Sequence, residues 1–339
     1  MSKVVVVTGG GTGGHLSVAK AFIEQFYKKG YKVIFIGSTK GQDRLWFEDE
    51  PKLYKKYFME TRGVVNQSKL GKLISLWMIF KAVIKSILII KKYNVSKVIS
   101  VGGFSAAPAS FAAILLNKDF YIHEQNSVMG KLNSITSKRA KEVFSSYLPT
   151  SKIKDYPINE KFFNYQRVRK EIKTIIFLGG SQGASAINEF ALKVAPKLTQ
   201  MGISIIHQTG KNDYEKVKEF YTKNNIEADI FDFTKDILTK MDKADFAVSR
   251  AGASTLWELV ALGLPTLFIP YPYAASNHQY YNAKFLEEKN LCFIAIQNKL
   301  KEDILFDILN TIDIKDISSK LIQTISKDSI KKIVDVVIN

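Results

Sequence analysis

The most informative part of the sequence is VVVVTGGGTGGHLSVAK, residues 4–20. It reads as a buried strand, a loop with five glycines among residues 9–14, and the start of a helix. Bare backbone amides and a helix N-terminus both direct positive partial charge at one spot, so such a loop is typical of anion sites. The stretch therefore predicts a phosphate-binding loop, and His15 is the first reactive side chain after it.

The same design recurs at TIIFLGGSQGASAINEF, residues 174–190. Apolar runs that predict strands alternate with helical patterns along the chain, at residues 3–8, 32–37, 97–101, 119–123, 174–178, 203–208, 245–248 and 266–269. Most of these runs are continuous, which favours parallel strands covered on both faces. We predict an α/β fold of two Rossmann-like domains with parallel sheets facing a central cleft.

The polar, proline-containing segment at residues 147–163 is the best linker between the two halves. It places the domains at residues 1–160 and 161–339, and the amphipathic C-terminal helix is free to return to the first domain. The 339 residues, 46% of them hydrophobic, can bury two cores. The lone Cys292 and an N-terminus without a signal-peptide pattern favour a cytoplasmic location.

The formal net charge of +17 favours an anionic partner, although a solvated lysine-rich surface explains it equally well. The lysines are spread along the whole chain without the motifs of a nucleic-acid module, so no nucleic-acid partner is expected. In KLISLWMIFKAVIKSILIIKKY, residues 72–93, two lysines near the middle cost about 2.5–3.5 kcal/mol each in a membrane span. A helix would instead carry Trp77, Lys81, Lys85 and Lys92 near one stripe, which suits a membrane surface, with Leu76, Ile79, Val83 and Ile90 facing inward. A core helix with snorkelling lysines is the alternative.

Two common phosphate chemistries do not fit the first glycine loop. Gly9, Gly11 and Gly14 satisfy G-x-G-x-x-G, but a dinucleotide site also needs an acidic residue at the end of the second strand, and that strand ends in Gly37 and Ser38. A P-loop needs Lys and Ser or Thr after its last glycine, where this chain has His15 and Leu16. These departures disfavour nicotinamide, flavin, kinase and ATPase sites.

Polar residues cluster at other predicted strand ends. Three of the four histidines, His15, His123 and His278, lie in such contexts, which favours catalysis over simple helix capping. HEQN at residues 123–126 follows a buried strand and can face a sugar or form a capped turn. In SRAGASTLWE, residues 249–258, Glu258 can accept both ribose hydroxyls beside a helix N-terminus, or it is an ordinary helix carboxylate.

In this order, GGTGGH, GGF, HEQN, GGSQGA, RAGAST-x-WE and NHQYYNA resemble the MurG family, from about residue 3 to residue 296. The resemblance implies a GT-B fold and an inverting transferase that moves N-acetylglucosamine (GlcNAc) from UDP-GlcNAc to the C4 hydroxyl of N-acetylmuramic acid (MurNAc) in lipid I, which gives lipid II. It implies a donor domain at the C-terminal half and an acceptor domain at the N-terminal half. It also implies a peripheral location on the cytoplasmic face of the plasma membrane, an anionic membrane surface as partner, and contacts with other cell-wall synthesis and division proteins.

The family's functional residues carry over to matching positions. The implied catalytic residues are His15, as the base or as the residue that positions it, and Glu124, with His123 nearby. The implied donor-site residues are Thr12, Gly13, Gly14, Asn126, Ser181, Thr234 (through its backbone), Arg250, Ala253, Ser254, Thr255, Glu258, His278 and Gln279. The implied acceptor-diphosphate residues are Gly10, Gly11, Thr12, Gly13, Gly14, Gly102, Gly103 and Phe104. The expected membrane contacts are Trp77, Lys81 and Lys85.

The sequence departs from the family pattern at several positions. No Asp-x-Asp motif lies near the donor loops, so no metal cofactor is implied. DYPIN replaces the family's GNPVR at the linker, so Asn159 stands where the family has an arginine that assists the nucleotide. Either Lys161 or Arg250 substitutes for that arginine, or the donor is held less tightly. Ser17 and Val18 stand where the family has a proline in the first loop, and one residue is inserted before NHQ. The alternatives are a related lipid glycosyltransferase of the diacylglycerol type, a UDP-GlcNAc 2-epimerase, and a non-enzymatic membrane or nucleic-acid binder.

Overall fold

The computed structural model describes residues 3–63, 68–180, 183–234 and 236–339. Its backbone contacts divide the chain into a first unit of residues 1–159 with 328–339, and a second unit of residues 160–327. The division falls one residue before the boundary expected from the linker, and the C-terminal segment belongs to the first unit.

Each unit contains one parallel six-stranded sheet. The first sheet has the order β3-β2-β1-β4-β5-β6 and the strands β1 (Val4–Thr8), β2 (Lys32–Ser38), β3 (Leu53–Met59), β4 (Lys97–Ser100), β5 (Asp119–His123) and β6 (Glu142–Phe144). The second has the order β12-β11-β10-β7-β8-β9 and the strands β7 (Thr174–Leu178), β8 (Ser204–Gln208), β9 (Ala228–Phe231), β10 (Phe246–Ser249), β11 (Thr266–Phe268) and β12 (Phe293–Ile294). Both sheets follow the Rossmann order, so the prediction of two Rossmann-like domains is confirmed.

Helices connect the strands, as parallel pairing requires. In the first unit they are α1 (Gly13–Lys28), α2 (Asp43–Phe47), α3 (Lys69–Lys92), α4 (Ala107–Leu115) and α5 (Lys131–Thr136). In the second unit they are α6 (Ser185–Gln200), α7 (Tyr214–Lys223), α8 (Ile237–Asp242), α9 (Ala253–Ala261), α10 (His278–Glu287), α11 (Glu302–Thr311) and α12 (Ile314–Thr324). The last helix, α13 (Ser329–Ile338), packs on α1. Short 3₁₀ turns occur at Phe104–Ala106, Ser137–Arg139, Glu160–Tyr165, Ala275–Asn277 and Gln297–Lys299.

The central strands explain why the sequence folds this way. All five residues of β1 are buried, and four of the five residues of β7 are buried, because helices cover both faces of each sheet. β1 pairs with β2 and β4, and β7 pairs with β8 and β10. The loops after β1 and β4 therefore meet at the point where strand order reverses in the first sheet, as do the loops after β7 and β10 in the second. Ligands of open α/β sheets bind at such points.

Candidate active site

The first glycine loop joins β1 to α1 and packs closely against the loop after β4. The amide of Gly10 donates a hydrogen bond to the carbonyl of Gly102 at 3.2 Å. A Cβ on Gly9 would lie 2.5 Å from the same oxygen, and a Cβ on Gly11 would lie 2.7 Å from the Phe104 ring. The structure therefore brings the predicted residues of GGGTGG and GGF together, and it shows why glycine is required at Gly9 and Gly11.

The buried carboxylate of Asp43 connects this loop to the end of β2. One oxygen accepts from the Gly11 amide at 2.5 Å, and the other accepts from the Ser38 amide at 2.8 Å. Burial raises the pKa of Asp43, although the two amides act in the opposite direction. Because Asp43 occupies the Gly11 amide, that group is already paired within the protein. The sequence analysis missed this residue, whose partners lie 5 and 32 residues away.

His15 stands in the first turn of α1 and is half-buried. Its Nδ1 lies 2.9 Å from the hydroxyl of Thr12, the residue that precedes the helix, so this contact orients the ring. The place where a Cβ on Gly102 would lie is 3.4 Å from Nε2 of His15 and 3.1 Å from Nδ2 of Asn133. His15 therefore lies at the meeting point of the loops after β1 and β4.

Glu124 is buried directly after β5, and its carboxylate is fully engaged in local structure. Oε1 accepts from the Asn126 amide at 2.9 Å, and Oε2 accepts from the Gly130 amide at 2.9 Å and from Nδ2 of Asn133 at 2.8 Å. These contacts fix the turn that carries Asn126, and they connect Glu124 to the surroundings of His15 through Asn133. This geometry supports a positioning role, and direct proton transfer by Glu124 stays a prediction.

His123 is a fully buried neighbour of this turn. Its ring packs edge-on against Phe22 and Tyr156 at centroid distances of 6.0 and 5.5 Å. Burial, with the nearby His15 as a second cause, lowers the pKa of His123 to about 3. His123 is therefore neutral near pH 7 and serves as part of the packing behind the loop.

The second glycine loop joins β7 to α6. Ser181 and Gln182 lie outside the described residues, so the predicted phosphate contact of Ser181 has no described geometry. A Cβ on Gly183 would lie 2.7 Å from the carbonyl of Thr209, so the loop also requires glycine here. In the first turns of α6, Ser185 and Asn188 each donate to Asp213 at 2.8 Å.

The loop after β10 leads into α9, which begins at Ala253 and carries Ser254, Thr255 and Glu258. The Ser254 hydroxyl donates to Oε1 of Glu258 at 3.0 Å. Burial raises the pKa of Glu258 to about 7. The first two turns of this helix thus hold a carboxylate that accepts from the Ser254 hydroxyl and that loses its proton near neutral pH.

Arg250 is mostly committed to protein groups. Its Nη1 donates to the carbonyls of Ile269 and Pro270 at 2.9 and 3.3 Å, and its Nη2 donates to Gln297 at 2.7 Å. The guanidinium also lies over the Tyr271 ring at 5.5 Å, and burial lowers its pKa. These contacts brace the chain after β11, and a contact with the donor phosphates stays a prediction.

The predicted donor residues His278 and Gln279 lie in the first turn of α10, and Thr234 lies on the loop after β9. Gln279 accepts from the Tyr271 amide at 2.9 Å, and Nδ1 of His278 lies 2.8 Å from the Ala275 carbonyl, so both are tied to the loop before α10. Thr234 follows the edge strand β9, which β7 and β8 separate from β10, and its hydroxyl accepts from the Asp236 amide at 3.0 Å. Among the described residues, no three His, Cys, Asp or Glu side chains group as a metal site.

The predicted membrane helix is α3, and it exposes an apolar surface. Its exposed large apolar side chains are Leu70, Leu73, Ile74, Leu76, Trp77, Phe80, Ile84 and Leu88. Trp77 stacks on Phe80 with ring centroids 5.6 Å apart, and Nζ of Lys81 lies 5.3 Å from the Trp77 ring. Lys85 is exposed as well.

Helix α3 packs on α4 only in part. Val83 and Ile90 are buried and Ile79 packs against the core, as predicted. The inward placement of Leu76 is wrong, since Leu76 is 53% exposed. α4 has nine residues and cannot cover a helix of 24. By length and composition alone α3 could cross a membrane, a test that core helices of soluble proteins also pass.

Comparison with known proteins adds independent evidence. Residues 5–145 match the glycosyltransferase family 28 N-terminal domain, and residues 174–336 match the family 28 C-terminal domain. The chain is 52% identical over 332 residues to the UDP-N-acetylglucosamine–N-acetylmuramyl-(pentapeptide) pyrophosphoryl-undecaprenol N-acetylglucosamine transferase of Campylobacter fetus, covering 98% of each chain. It is 49% identical to the protein of the same name from Helicobacter pylori, covering 98% of this chain and 99% of the other.

Solved structures agree with this match. The crystal structure of Acinetobacter baumannii MurG aligns with a TM-score of 0.80 at 28% identity over 99% of both chains. A UDP-GlcNAc 2-epimerase from Neisseria meningitidis aligns with a TM-score of 0.66 at 13% identity over 98% of both chains, which shows a shared fold alone. The chain therefore belongs to glycosyltransferase family 28 and, within it, to the MurG family of N-acetylglucosaminyltransferases.

Proposed function

We propose that this chain transfers GlcNAc from UDP-GlcNAc to the C4 hydroxyl of MurNAc in lipid I, releasing UDP and forming lipid II. The observation that carries the proposal is the 52% identity over 98% of both chains to a transferase named for this reaction. The geometry supports it, since each unit has glycine loops at its point of strand reversal. Residues 1–160 serve the acceptor and the membrane, and residues 161–339 serve the donor, except for the C-terminal helix.

On the acceptor side, His15 acts as the general base. The imidazole accepts the proton of the C4 hydroxyl while that oxygen bonds to C1 of GlcNAc, and the bond from C1 to the UDP oxygen breaks with inversion. The contact with Thr12 supports this role because it orients the ring. The acceptor diphosphate binds at the first turn of α1, at Thr12, Gly13 and Gly14, because the Gly11 amide is already paired with Asp43. Gly10, Gly102, Gly103 and Phe104 shape the surrounding loop.

On the donor side, charge stabilisation of the leaving UDP is the larger task. The N-terminal turns of α6 and α9, with Ser181, Ala253, Ser254 and Thr255, face the donor diphosphate. Glu258 accepts the ribose hydroxyls, and the backbone at Thr234 reads the uracil. His278 and Gln279 read the GlcNAc hydroxyls. Arg250 supports this site by bracing the chain that leads to Gln279. No step requires a metal ion, since the helix N-termini supply the positive charge.

The exposed apolar side of α3 rests on the cytoplasmic face of the plasma membrane. Trp77 and Phe80 enter the interface, and Lys81 and Lys85 meet anionic headgroups, each contributing about 1 kcal/mol. This peripheral binding brings the chain to its lipid acceptor. The same membrane location gives access to other proteins of cell-wall synthesis and division.

An acceptor comparison tests the proposal. The purified chain is incubated with labelled UDP-GlcNAc and, in separate reactions, a lipid I analogue, diacylglycerol or no acceptor. We expect labelled lipid and equimolar UDP only with the lipid I analogue. Label on diacylglycerol would identify a different lipid glycosyltransferase, and formation of UDP-N-acetylmannosamine without acceptor would identify an epimerase. Either result would contradict the proposal.

A further inference from the structure

We propose that His207, on β8, is a positioning residue that sets the N-terminal turns of α6 for the donor diphosphate. The inference rests on the proposed function, because that function places the diphosphate at the second glycine loop. His207 is fully buried. It acts through Asn188, one turn into α6.

The direction of each hydrogen bond follows from the groups involved. Nδ2 of Asn188 donates to the carbonyl of Thr209 at 2.9 Å and to Oδ2 of Asp213 at 2.8 Å, and both partners can only accept. Oδ1 of Asn188 therefore faces Nε2 of His207 at 3.0 Å. Since Oδ1 is only an acceptor, Nε2 must carry the proton.

The proton on Nε2 also fixes the role of Nδ1, the other ring nitrogen of His207. With the proton on Nε2, Nδ1 of a neutral imidazole is an acceptor, and the Tyr221 hydroxyl donates to it at 3.0 Å. Tyr221 is also buried, and its ring meets that of His207 edge-on at 5.9 Å. Burial lowers the pKa of His207 to about 3, with Asp213 as a weaker opposing influence, so the ring stays neutral at working pH. In the series of hydrogen bonds from Tyr221 through His207 to Asn188, every donor and acceptor is therefore fixed.

This series of hydrogen bonds ends beside the second glycine loop. Asp213 accepts from both Asn188 and Ser185, the first residue of α6, so it joins the helix start to the segment after β8. The Thr209 carbonyl bound by Asn188 is the same oxygen that a Cβ on Gly183 would approach at 2.7 Å. A shift of Asn188 would therefore move the helix start and the loop against each other. An ordinary buried histidine would stabilise the fold without affecting donor binding more than acceptor binding.

Binding and kinetics of matched variants test the inference. Tyr221→Phe removes only the hydroxyl that orients the ring, and His207→Leu removes both ring contacts. His207→Gln keeps a donor for Asn188 and an acceptor for Tyr221. Tyr31→Phe makes the same change at a buried tyrosine of the first unit, which packs against Phe26. For each variant, UDP-GlcNAc affinity by calorimetry, both KM values, kcat and Tm are measured.

We expect Tyr221→Phe to weaken UDP-GlcNAc binding about three- to tenfold, the effect of one neutral hydrogen bond, with kcat and the lipid I KM within twofold. His207→Leu should weaken donor binding further, and His207→Gln should restore most of it, while Tyr31→Phe leaves donor binding unchanged. A lowered Tm with unchanged donor affinity in Tyr221→Phe and His207→Leu would overturn the inference and leave the proposed function intact. Failure of the wild-type chain to bind UDP-GlcNAc would contradict both.

Discussion

The two glycine loops follow equivalent strands of two sheets with the same order, yet different chemistry holds them in place. In the first, the buried carboxylate of Asp43 binds the Gly11 backbone amide directly. In the second, a series of neutral groups runs from Tyr221 through His207 to Asn188, and the carboxylate of Asp213 comes last, against side chains of α6. A carboxylate thus holds a backbone amide of the first loop, whereas in the second a carboxylate holds side chains at the start of α6.

The difference bears on where anions bind. A carboxylate 2.5 Å from a loop amide uses that amide and opposes an anion beside it, so the first loop leaves the turn of α1 that bears His15 as its anion-facing part. At the second loop the carboxylate of Asp213 binds the side chains of Ser185 and Asn188, and the His207 ring that contacts Asn188 is neutral. We therefore expect changes at the first loop to affect the acceptor and changes at the second loop to affect the donor.

The largest expected effect comes from His15→Ala. Loss of a general base typically lowers the rate about 10²- to 10⁴-fold, and we expect this loss in kcat with both KM values within threefold. Thr12→Val, which removes only the hydroxyl that orients the ring, should lower kcat about tenfold. Steady-state kinetics with a soluble lipid I analogue measure both. Near wild-type kcat in His15→Ala would show that another group takes the proton.

Asp43→Asn tests the first loop's anchor. The substituted side chain places an NH₂ group against a backbone amide, so one charge-assisted hydrogen bond is lost, at a cost of about 1.5–3 kcal/mol. We expect the KM for the lipid I analogue to rise about 10- to 100-fold and the UDP-GlcNAc KM to stay unchanged. The exposed Asp49→Asn is the matched control. A rise in the donor KM instead would break the assignment of the two loops.

Glu258→Gln probes the donor side in two ways. We expect the UDP-GlcNAc KM at pH 8 to rise about tenfold, because a neutral amide accepts ribose hydroxyls less strongly than a carboxylate does. In the wild type, donor affinity should fall as pH drops through about 7, where Glu258 becomes protonated. A pH-independent donor KM in the wild type would argue against ribose binding by this carboxylate.

Glu258→Gln should also change how the stability of the folded chain depends on pH. The pKa of Glu258 is raised from 4.5 to about 7 in the folded chain. Between these values the unfolded chain releases its proton first, so the wild type loses stability as pH rises through this window, by up to about 3 kcal/mol. Glu258→Gln avoids this loss, and its Tm should exceed the wild-type Tm at pH 8 but match it near pH 4. Equal Tm values at pH 8 would contradict the shifted pKa.

The smallest effect is expected far from both loops. Lys81→Gln removes one charge beside Trp77 and should weaken binding to anionic vesicles about fivefold at low salt, with less difference at high salt. With the soluble acceptor analogue, both KM values should stay unchanged. Vesicle co-sedimentation gives the binding constant, and an unchanged constant would remove Lys81 from the membrane surface.

Sequence patterns predicted the centre of each sheet but not its edges. The eight predicted strands include every interior strand, because strands covered on both faces carry continuous apolar runs. The four strands absent from the prediction, β3, β6, β9 and β12, are the four edges, where only one neighbour pairs and polar residues such as those of LYKKYFM are tolerated. Edge strands lack the continuous apolar runs on which the strand prediction depended.

The site shows a similar division. Motif matching predicted roles for His15, Gly102 and Glu258, and these roles stay predictions. The loops after β1, β4 and β10, which carry or precede these residues, lie at the points of strand reversal. Asp43 and Asn133 were missed because their partners are distant in sequence and become neighbours only through the sheet. The sequence did mark His207 as unusual, since a histidine interrupts the apolar strand SIIHQ. A polar residue inside a buried strand does not, however, indicate which residue it binds.

Transfer to the C4 hydroxyl is measured most directly in a single-turnover reaction with UDP-GlcNAc labelled in the sugar and two acceptors, the lipid I analogue and its 4-deoxy MurNAc counterpart. We predict one labelled sugar transferred per UDP released with the first acceptor, joined through a β-linkage to C4, and no transfer to the second. Equal labelling of the 4-deoxy acceptor, or UDP release without a labelled lipid, would contradict the account.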